Sequence, residues 1–150
     1  MSWTTITQTD VEKLFAEVEY QALVSEAIDQ GITDFLETTI ANAVNTVRGY
    51  IAGCSTNTLN TGETVPGNLK SKTLDLIRFE MLNRLGMDVS DDRLESYRSA
   101  IRLLEQAASC KFAVDTADDP ESGTTQNSGG TTVVASRDRI ATRRRTDGLF

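Results

Sequence analysis

The stretch from residue 33 to residue 53 reads TDFLETTIANAVNTVRGYIAG and decides the fold class of the chain. Its apolar residues follow one another at steps of four, four, three and four, the spacing of one face of an α-helix. These residues are Leu36, Ile40, Val44, Val47 and Ile51. Asp34 can cap the start, with Glu37 three residues later, and Gly53 stops the pattern. We therefore expect one long helix over residues 33–52.

Amphipathic segments before residue 33 predict two shorter helices. Thr9 and Glu12 have the S/T-x-x-E spacing of a capping box, so we expect a helix to begin there. One apolar face follows at helical spacing and consists of Val11, Leu14, Phe15 and Val18. A second short helix is expected between residues 19 and 30, and Gly31 would end it.

Two further helices are predicted after a polar loop that extends from residue 53 to residue 65. Pro66 suits the first turn of a helix, and Gly86 suits its C-terminal end. Ser90, Asp91 and Asp92 suit the start of the last helix, because carboxylates are favoured at the positive end of the helix dipole. The apolar faces of these helices consist of Leu74, Ile77, Met81 and Leu85, and of Leu94, Tyr97, Ile101, Leu104 and Ala108.

These patterns predict an all-α fold, a small bundle of about four to five helices with a long extended C-terminal arm. The residues expected in the core are Leu36, Ile40, Val44, Leu74, Ile77, Leu94, Ile101 and Leu104. Composition changes after Val114, because residues 115–132 are rich in Asp, Thr, Ser and Gly and hold little apolar surface. We therefore expect a helical body over residues 1–114, and a flexible linker with a basic docking arm over residues 115–150.

The C-terminal arm combines apolar and basic residues, and a purely solvated tail has no use for the apolar ones. Val133 and Val134 form a β-prone patch that could add a strand to a partner sheet. Arginine pairs bidentately with carboxylates, so the basic residues favour an acidic protein surface over DNA. The candidate partner-binding residues are Val133, Val134, Arg137, Arg139, Arg143, Arg144, Arg145, Leu149 and Phe150. The alternative is a solvated terminus without function.

Charge is unevenly distributed along a chain whose net charge is −7. Residues 1–110 carry nine Lys or Arg against sixteen Asp or Glu, whereas residues 137–150 carry five arginines against Asp138 and Asp147. The acidic body repels nucleic acid, while the basic end can meet an acidic surface or phosphates. No aromatic residue interleaves the arginine run and no helix-turn-helix pattern occurs, so DNA binding is the weaker interpretation.

The residues that common catalytic and metal sites require are missing from the sequence. The chain has no histidine, and its two cysteines, Cys54 and Cys110, do not form a C-x-x-C pair. A His-based catalytic triad and a zinc site are therefore not expected, and no P-loop or dinucleotide-binding motif occurs. We expect no enzymatic activity, no cofactor and no metal ion. A disulfide is possible, but in a cytosolic chain we expect two free thiols.

The sequence also carries no signal for a membrane or for secretion. The longest apolar runs are far shorter than the ~20 residues of a membrane span. The N-terminus lacks a basic region followed by an apolar stretch, which a secretory signal would need. A cytosolic protein is the expectation.

Three strings in the body carry a resemblance to a known family of helical proteins. The string VRGYIAG lies at residues 47–53, and Pro66 and Leu69 open a segment that ends at Leu85. The string YRSAIRLLE lies at residues 97–105 and is followed by Ala108 and Lys111-Phe112. In this order they resemble the long, middle and last helices of the head–tail connector, or adaptor, family of tailed bacteriophages. The resemblance covers roughly residues 8–114.

The resemblance implies a structural virion protein that forms a dodecameric ring beneath the portal and links the capsid vertex to the tail. DNA would pass through the ring without specific binding. The implied partners are the portal protein, a stopper or tail-terminator protein, and further copies of the chain. The implied location is the neck of the virion, and the host cytoplasm during assembly. No catalysis, cofactor or membrane contact is implied.

The chain departs from that family at two places. Cys54-Ser55 stands where the family often has an Arg-Tyr pair, and the segment after Val114 is longer than in compact members. The helical bundle of the family therefore carries over better than its loop contacts. The alternative interpretation, from another functional class, is a small helical DNA-binding or regulatory protein.

Overall fold

The computed structural model of the chain describes residues 2–120. Within that range it is mostly helical, with five α-helices and one small antiparallel sheet. The elements in chain order are β1 (Trp3–Thr5), α1 (Gln8–Glu12), α2 (Glu17–Asp29), α3 (Phe35–Ala52), β2 (Thr64–Pro66), a 3-10 turn (Gly67–Leu69), α4 (Lys70–Arg84) and α5 (Asp91–Ala108). The prediction of a small helical bundle is thus confirmed.

Helix α4 lies at the centre of the bundle and contacts α1, α3, α5 and β2. Its buried residues occupy more than one face, and they are Thr73, Leu76, Ile77, Met81 and Leu82. The hydroxyl of Thr73 donates to the carbonyl oxygen of Leu69 at 2.9 Å, which satisfies this polar group inside the core. Glu80 lies on the same helix, and burial raises the pKa of its carboxyl group. Neighbouring elements therefore cover α4 on several sides.

The two-stranded sheet is a feature that the sequence patterns did not predict. Trp3 of β1 is opposite Pro66 of β2, and Thr5 is opposite Thr64. Strands of three residues are too short to show the alternation that identifies a strand in a sequence. Pro66 therefore ends a strand and precedes a 3-10 turn, and the prediction that it lies in the first turn of a helix is wrong.

The start of α1 also differs from the prediction. The capping box is formed by Thr7 and Asp10, not by Thr9 and Glu12: the Asp10 amide donates to Thr7 Oγ1 at 3.2 Å, and the Thr7 amide donates to Asp10 Oδ2 at 3.0 Å. Both pairs have the same spacing, so the pattern alone could not separate them. Val18 belongs to α2, where it is 83% exposed.

The predicted core is confirmed in part. Val44, Ile77 and Leu104 are buried. Four other predicted residues are half-buried and pack against the core, namely Leu36, Ile40, Leu74 and Ile101. Leu94 lies outside the core cluster, so that prediction is wrong. Helix α5 instead buries the small residues Ala100 and Ala107, whose short side chains permit close helix packing.

The C-terminal ends of α3 and α5 lie against each other. A Cβ atom placed on Gly53 would lie 3.2 Å from the Cβ atom of Ala108, so this approach leaves little room for a side chain. Gly53 ends α3 as predicted. Gly31 and Gly86 follow the ends of α2 and α4 with φ values of 73° and 70°, a conformation that favours glycine.

The same approach brings the two cysteines together. Cys54 and Cys110 form a disulfide with their Cα atoms 5.3 Å apart, within the usual range for such a bond. The expectation of two free thiols is therefore wrong. That expectation was based on the reducing conditions of the cytosol. The pairing instead follows from the contact between two helix ends, which brings together cysteines 56 residues apart in sequence.

Helix α2 is attached to the body by a small number of contacts. It buries Leu23 and Ala27, and its Glu19 side chain forms a bidentate ion pair with Arg93 of α5. The Nη2 atom of Arg93 donates to Glu19 Oε2 at 2.9 Å. Hydrogen bonding to this guanidinium lowers the pKa of the Glu19 carboxyl group. The pair therefore fixes the start of α2.

We predict that reduction of the Cys54–Cys110 disulfide lowers the free energy of unfolding by about 2–4 kcal/mol, because it removes a constraint on the unfolded chain. Urea titrations with and without dithiothreitol measure this difference. The variant with Cys54→Ser and Cys110→Ser should unfold like the reduced protein and should not respond to dithiothreitol. Equal urea midpoints for the oxidised and reduced wild type would contradict the prediction.

We predict that Glu19→Gln lowers the stability at pH 7 by about 1 kcal/mol, because the charge-assisted pair with Arg93 is lost. The lowered pKa of Glu19 means that the pair contributes fully above the ordinary value of 4.5, and that this contribution is lost as the pH falls through the folded-state pKa. Melting temperatures of wild type and variant should therefore converge as the pH falls below 4.5 and through the lowered pKa of Glu19. Glu17→Gln, an exposed change in the same first turn, is the control for the helix-dipole contribution and should lower the melting temperature at pH 7 less than Glu19→Gln does. A constant difference across this pH range would contradict the assignment.

Candidate partner-binding surfaces

The sequence-predicted site residues lie outside the described part of the chain. They are Val133, Val134, Arg137, Arg139, Arg143, Arg144, Arg145, Leu149 and Phe150, all beyond residue 120. The described residues define two other features that bear on partner binding. One is the point where the C-terminal segment leaves the body, and the other is an apolar groove on the body surface.

Residues after α5 are hydrogen-bonded to the body as far as residue 120. The indole Nε1 of Trp3 donates to the carbonyl oxygen of Asp115 at 3.0 Å. The carboxylate of Asp115 accepts a hydrogen bond from the Asn68 amide at 2.9 Å, and the Asn68 side chain donates to the carbonyl of Ala113. The first residues of the segment expected to be a linker therefore pack against β1 and the 3-10 turn.

A second group of bonds holds Asp119 and Pro120 against the loop before β2. The Thr61 hydroxyl donates to Asp119 Oδ2 at 2.7 Å, and the Thr61 amide donates to the Asp119 carbonyl at 2.9 Å. The Asp119 amide donates to the side-chain oxygen of Asn60, beside a bridge between Asn60 and Pro120. The body thus extends its contacts to residue 120.

Arg48 of α3 supports this arrangement from inside. Its guanidinium donates to the carbonyls of Thr64 at 2.9 Å and Asn60 at 2.8 Å, and lies 5.8 Å from the centre of the Trp3 ring. One side chain therefore connects the long helix, the loop and the N-terminal strand. We call this assembly the exit clasp, and it consists of Trp3, Arg48, Asn60, Thr61, Thr64, Asn68, Asp115, Asp119 and Pro120.

Sequence reasoning missed the role of Arg48, although the residue lies within the VRGYIAG string. A signal was present, because Arg48 is a cation between apolar residues of a helix that is otherwise rich in Ala, Val and Ile. Its partners are backbone carbonyls, however, and these have no signature in a sequence. The clasp could only be identified from the packed structure.

The groove lies between α2 and the start of α3. Its apolar lining includes Tyr20, Val24 and Ile28 of α2 together with Ile32 and Leu36. Ile28 is 69% exposed, which is unusual for a large apolar residue that belongs to a continuous patch. We call this surface the α2–α3 groove.

Acidic residues lie at one side of the α2–α3 groove. Asp34 and Glu37, at the start of α3, belong to its lining, which contains no lysine or arginine. Within residues 2–120 neither carboxylate forms an ion pair. Arg84 lies over the ring of Phe35 in this lining without forming an ion pair with either carboxylate. The groove therefore presents apolar surface next to two carboxylates that have no ion-pair partner among residues 2–120, which suits a ligand with both apolar and cationic groups.

The described residues contain neither a metal site nor a membrane span. Between residues 2 and 120, no group of three or more His, Cys, Asp or Glu side chains is arranged to hold a metal ion. None of the helices in that range is long and apolar enough to cross a membrane.

Comparison with known protein families places the chain beside a bacteriophage family. A family model described as Bacteriophage Mu, Gp36 matches residues 6–133. Searches of curated proteins and of solved structures returned no match. The matched range contains all five described helices and the exit clasp except Trp3, and it ends before Arg137. The chain is a bacteriophage protein and belongs to the Bacteriophage Mu Gp36 family.

Proposed function

We propose that the chain is a structural virion protein, a head–tail connector that forms a ring beneath the portal and links the capsid vertex to the tail. Membership of a bacteriophage family supports a role in the virus. The observation that carries the proposal is the exit clasp. It gives a firmly bonded base to a C-terminal segment of thirty residues that ends in arginines and apolar residues.

A docking arm needs such a base, because an arm transmits force between two bodies only if its attachment point is held. The clasp holds Asp115 and Asp119 by side-chain and backbone bonds to three separate parts of the chain. The arm then carries partner-binding residues, from Val133 to Phe150, beyond the body. Ordering of such a segment on binding gives a wide contact at the cost of conformational entropy.

The charge of the body supports a position around DNA. Residues 2–120 carry ten Lys or Arg against nineteen Asp or Glu, so the body is strongly acidic. An acidic wall repels the phosphate backbone, so DNA moves through the ring without specific binding. The proposed partners are the portal protein above, a stopper or tail-terminator protein below, and further copies in a dodecameric ring. The proposed location is the virion neck, and the host cytoplasm before assembly.

A small helical DNA-binding or regulatory protein is the second candidate, and the five arginines of residues 137–150 favour it. Few phosphate contacts are available to them, however, and the acidic body opposes each of these contacts. Such a protein would be retained on duplex DNA at moderate salt, and its retention would fall steeply as salt rises. The connector proposal predicts no retention of the protein on duplex DNA.

We predict that the protein is present in purified virus particles at the copy number of a ring. Each subunit of a ring contacts the next through a head-to-tail interface, and the ring closes when the rotation between neighbouring subunits is a whole fraction of 360°. Quantitative mass spectrometry, with the portal protein as the internal standard, measures the ratio. Absence from particles, or one or two copies per particle, would rule out the connector.

We predict that a chain truncated after Pro120 keeps its helical circular dichroism and melting temperature but fails to join heads to tails. This end point retains the exit clasp, whereas truncation after Val114 would remove Asp115 and Asp119 and so disturb the body. Complementation of a phage that lacks the gene measures the assembly. A truncated chain that produces normal numbers of tailed particles would show that residues 121–150 are not a docking arm.

A further inference from the structure

We infer that the α2–α3 groove of one subunit receives the arginine-rich C-terminal segment, residues 137–150, of a neighbouring copy. This inference rests on the proposed ring and specifies which surface the arm binds. Four observations carry it: the apolar lining, the acidic residues beside that lining, the composition of the segment, and the positions of the groove and the exit clasp.

The α2–α3 groove and residues 137–150 both carry apolar side chains that could pack together. Val24, Ile28 and Ile32 offer apolar surface that no described element covers completely. Residues 137–150 contain Ile140, Leu149 and Phe150, and the last two form an apolar terminus. Burial of these side chains in the groove would remove apolar surface of both partners from water.

The groove and residues 137–150 also carry opposite charges, and the negative charges are those of Asp34 and Glu37. Both line the groove, and neither has an ion-pair partner in the described residues. The segment carries five arginines, among them the run Arg143 to Arg145, against Asp138 and Asp147. Arginine forks match carboxylates bidentately, so this run supplies the cations that the groove lacks.

The distance between clasp and groove is compatible with the length of the chain. The clasp contacts α3 near its C-terminal end, through Arg48, whereas the groove lies at its N-terminal end. Helix α3 has 18 residues and is therefore about 27 Å long. Residues 121–136 span at most about 55 Å when extended, which exceeds this length, so the segment is long enough to pass from the clasp to a groove.

Closure of a ring, and not the separation itself, favours a neighbouring copy as the receiver. A ring needs a head-to-tail interface in which one surface of a subunit meets a different surface of the next subunit. The arm and the groove would be two such surfaces, and the exit clasp that precedes the arm lies toward the opposite end of α3 from the groove. Contacts of this type repeat around the ring and leave no groove or arm unpaired.

A charge-swap experiment on the full-length protein tests the inference. The groove variant carries Asp34→Lys and Glu37→Lys, and the arm variant carries Arg143→Glu, Arg144→Glu and Arg145→Glu. The readout is the amount of each chain in purified particles. Circular dichroism and melting curves identify any variant that does not fold. Glu105→Lys, which changes an exposed carboxylate of α5 away from the groove, is the control.

Each variant alone should enter particles about tenfold less than wild type, because like charges then face each other at the contact. The control should enter at the wild-type level. Both sets of changes in one chain should restore incorporation. Co-expression of the groove variant with the arm variant should also restore it, because an alternating ring pairs each changed groove with a changed arm of the next copy.

The other outcomes separate the possible failures. Normal incorporation of both variants, or no rescue in the combined chain, would overturn the inference while leaving the connector intact. Rescue in the combined chain without rescue by co-expression would show that the segment binds its own subunit, which overturns the assignment to a neighbour. A wild-type chain absent from particles would overturn the proposed function itself.

Discussion

Coverage of helix α4 is the constraint on which the rest of the body depends. Leu76 and Met81 lie on different sides of this helix, because residues five positions apart are separated by about 140° around the helix axis. Burial of both therefore requires several neighbours, and α3, α5 and the N-terminal elements pack around α4. The ring of Phe79 stacks on Tyr97 of α5, with centroids 3.9 Å apart. Once α3 and α5 flank α4, their C-terminal ends meet at Gly53 and Ala108, and the disulfide follows.

Polar contacts then fix the elements that the core does not hold. Trp3, Asn68 and Asp115 join the start of the chain, the turn before α4 and the segment after α5. Arg48 donates to the carbonyls of Asn60 in the loop and Thr64 in β2, and so joins both to α3. Helix α2, in contrast, buries only Leu23 and Ala27, and its other attachments include Tyr20 packed against the core, the Glu19–Arg93 pair and a bond from Gln30 to the Leu85 carbonyl. The molecule therefore has a rigid base for its C-terminal segment and a more weakly attached helix beside its groove.

Charge and exposed apolar surface connect this architecture to the proposed connector. In the proposed ring, the acidic body of one subunit would attract the basic end of another, whereas it would repel DNA. Asp34 and Glu37 concentrate the negative charge beside an apolar groove. A repeated contact between arm and groove would hold a ring together without a large flat interface between the bodies.

The sequence by itself determined the helices, because a period of 3.6 residues is a local property: the stripe from Leu36 to Ile51 and the glycines after α2 and α4 correctly marked their extent. It also determined the division between acidic body and basic end.

Only the tertiary structure decided four other features, namely the disulfide, the strands at Trp3 and Pro66, the exit clasp and the α2–α3 groove. The disulfide, the sheet and the clasp join residues far apart in the chain, often through backbone carbonyls. The groove depends on which apolar face of a helix packs against the core. Helix α2 shows this last point, since Leu23 and Ala27 meet the core while Val24 and Ile28 do not, and only packing separates the two pairs.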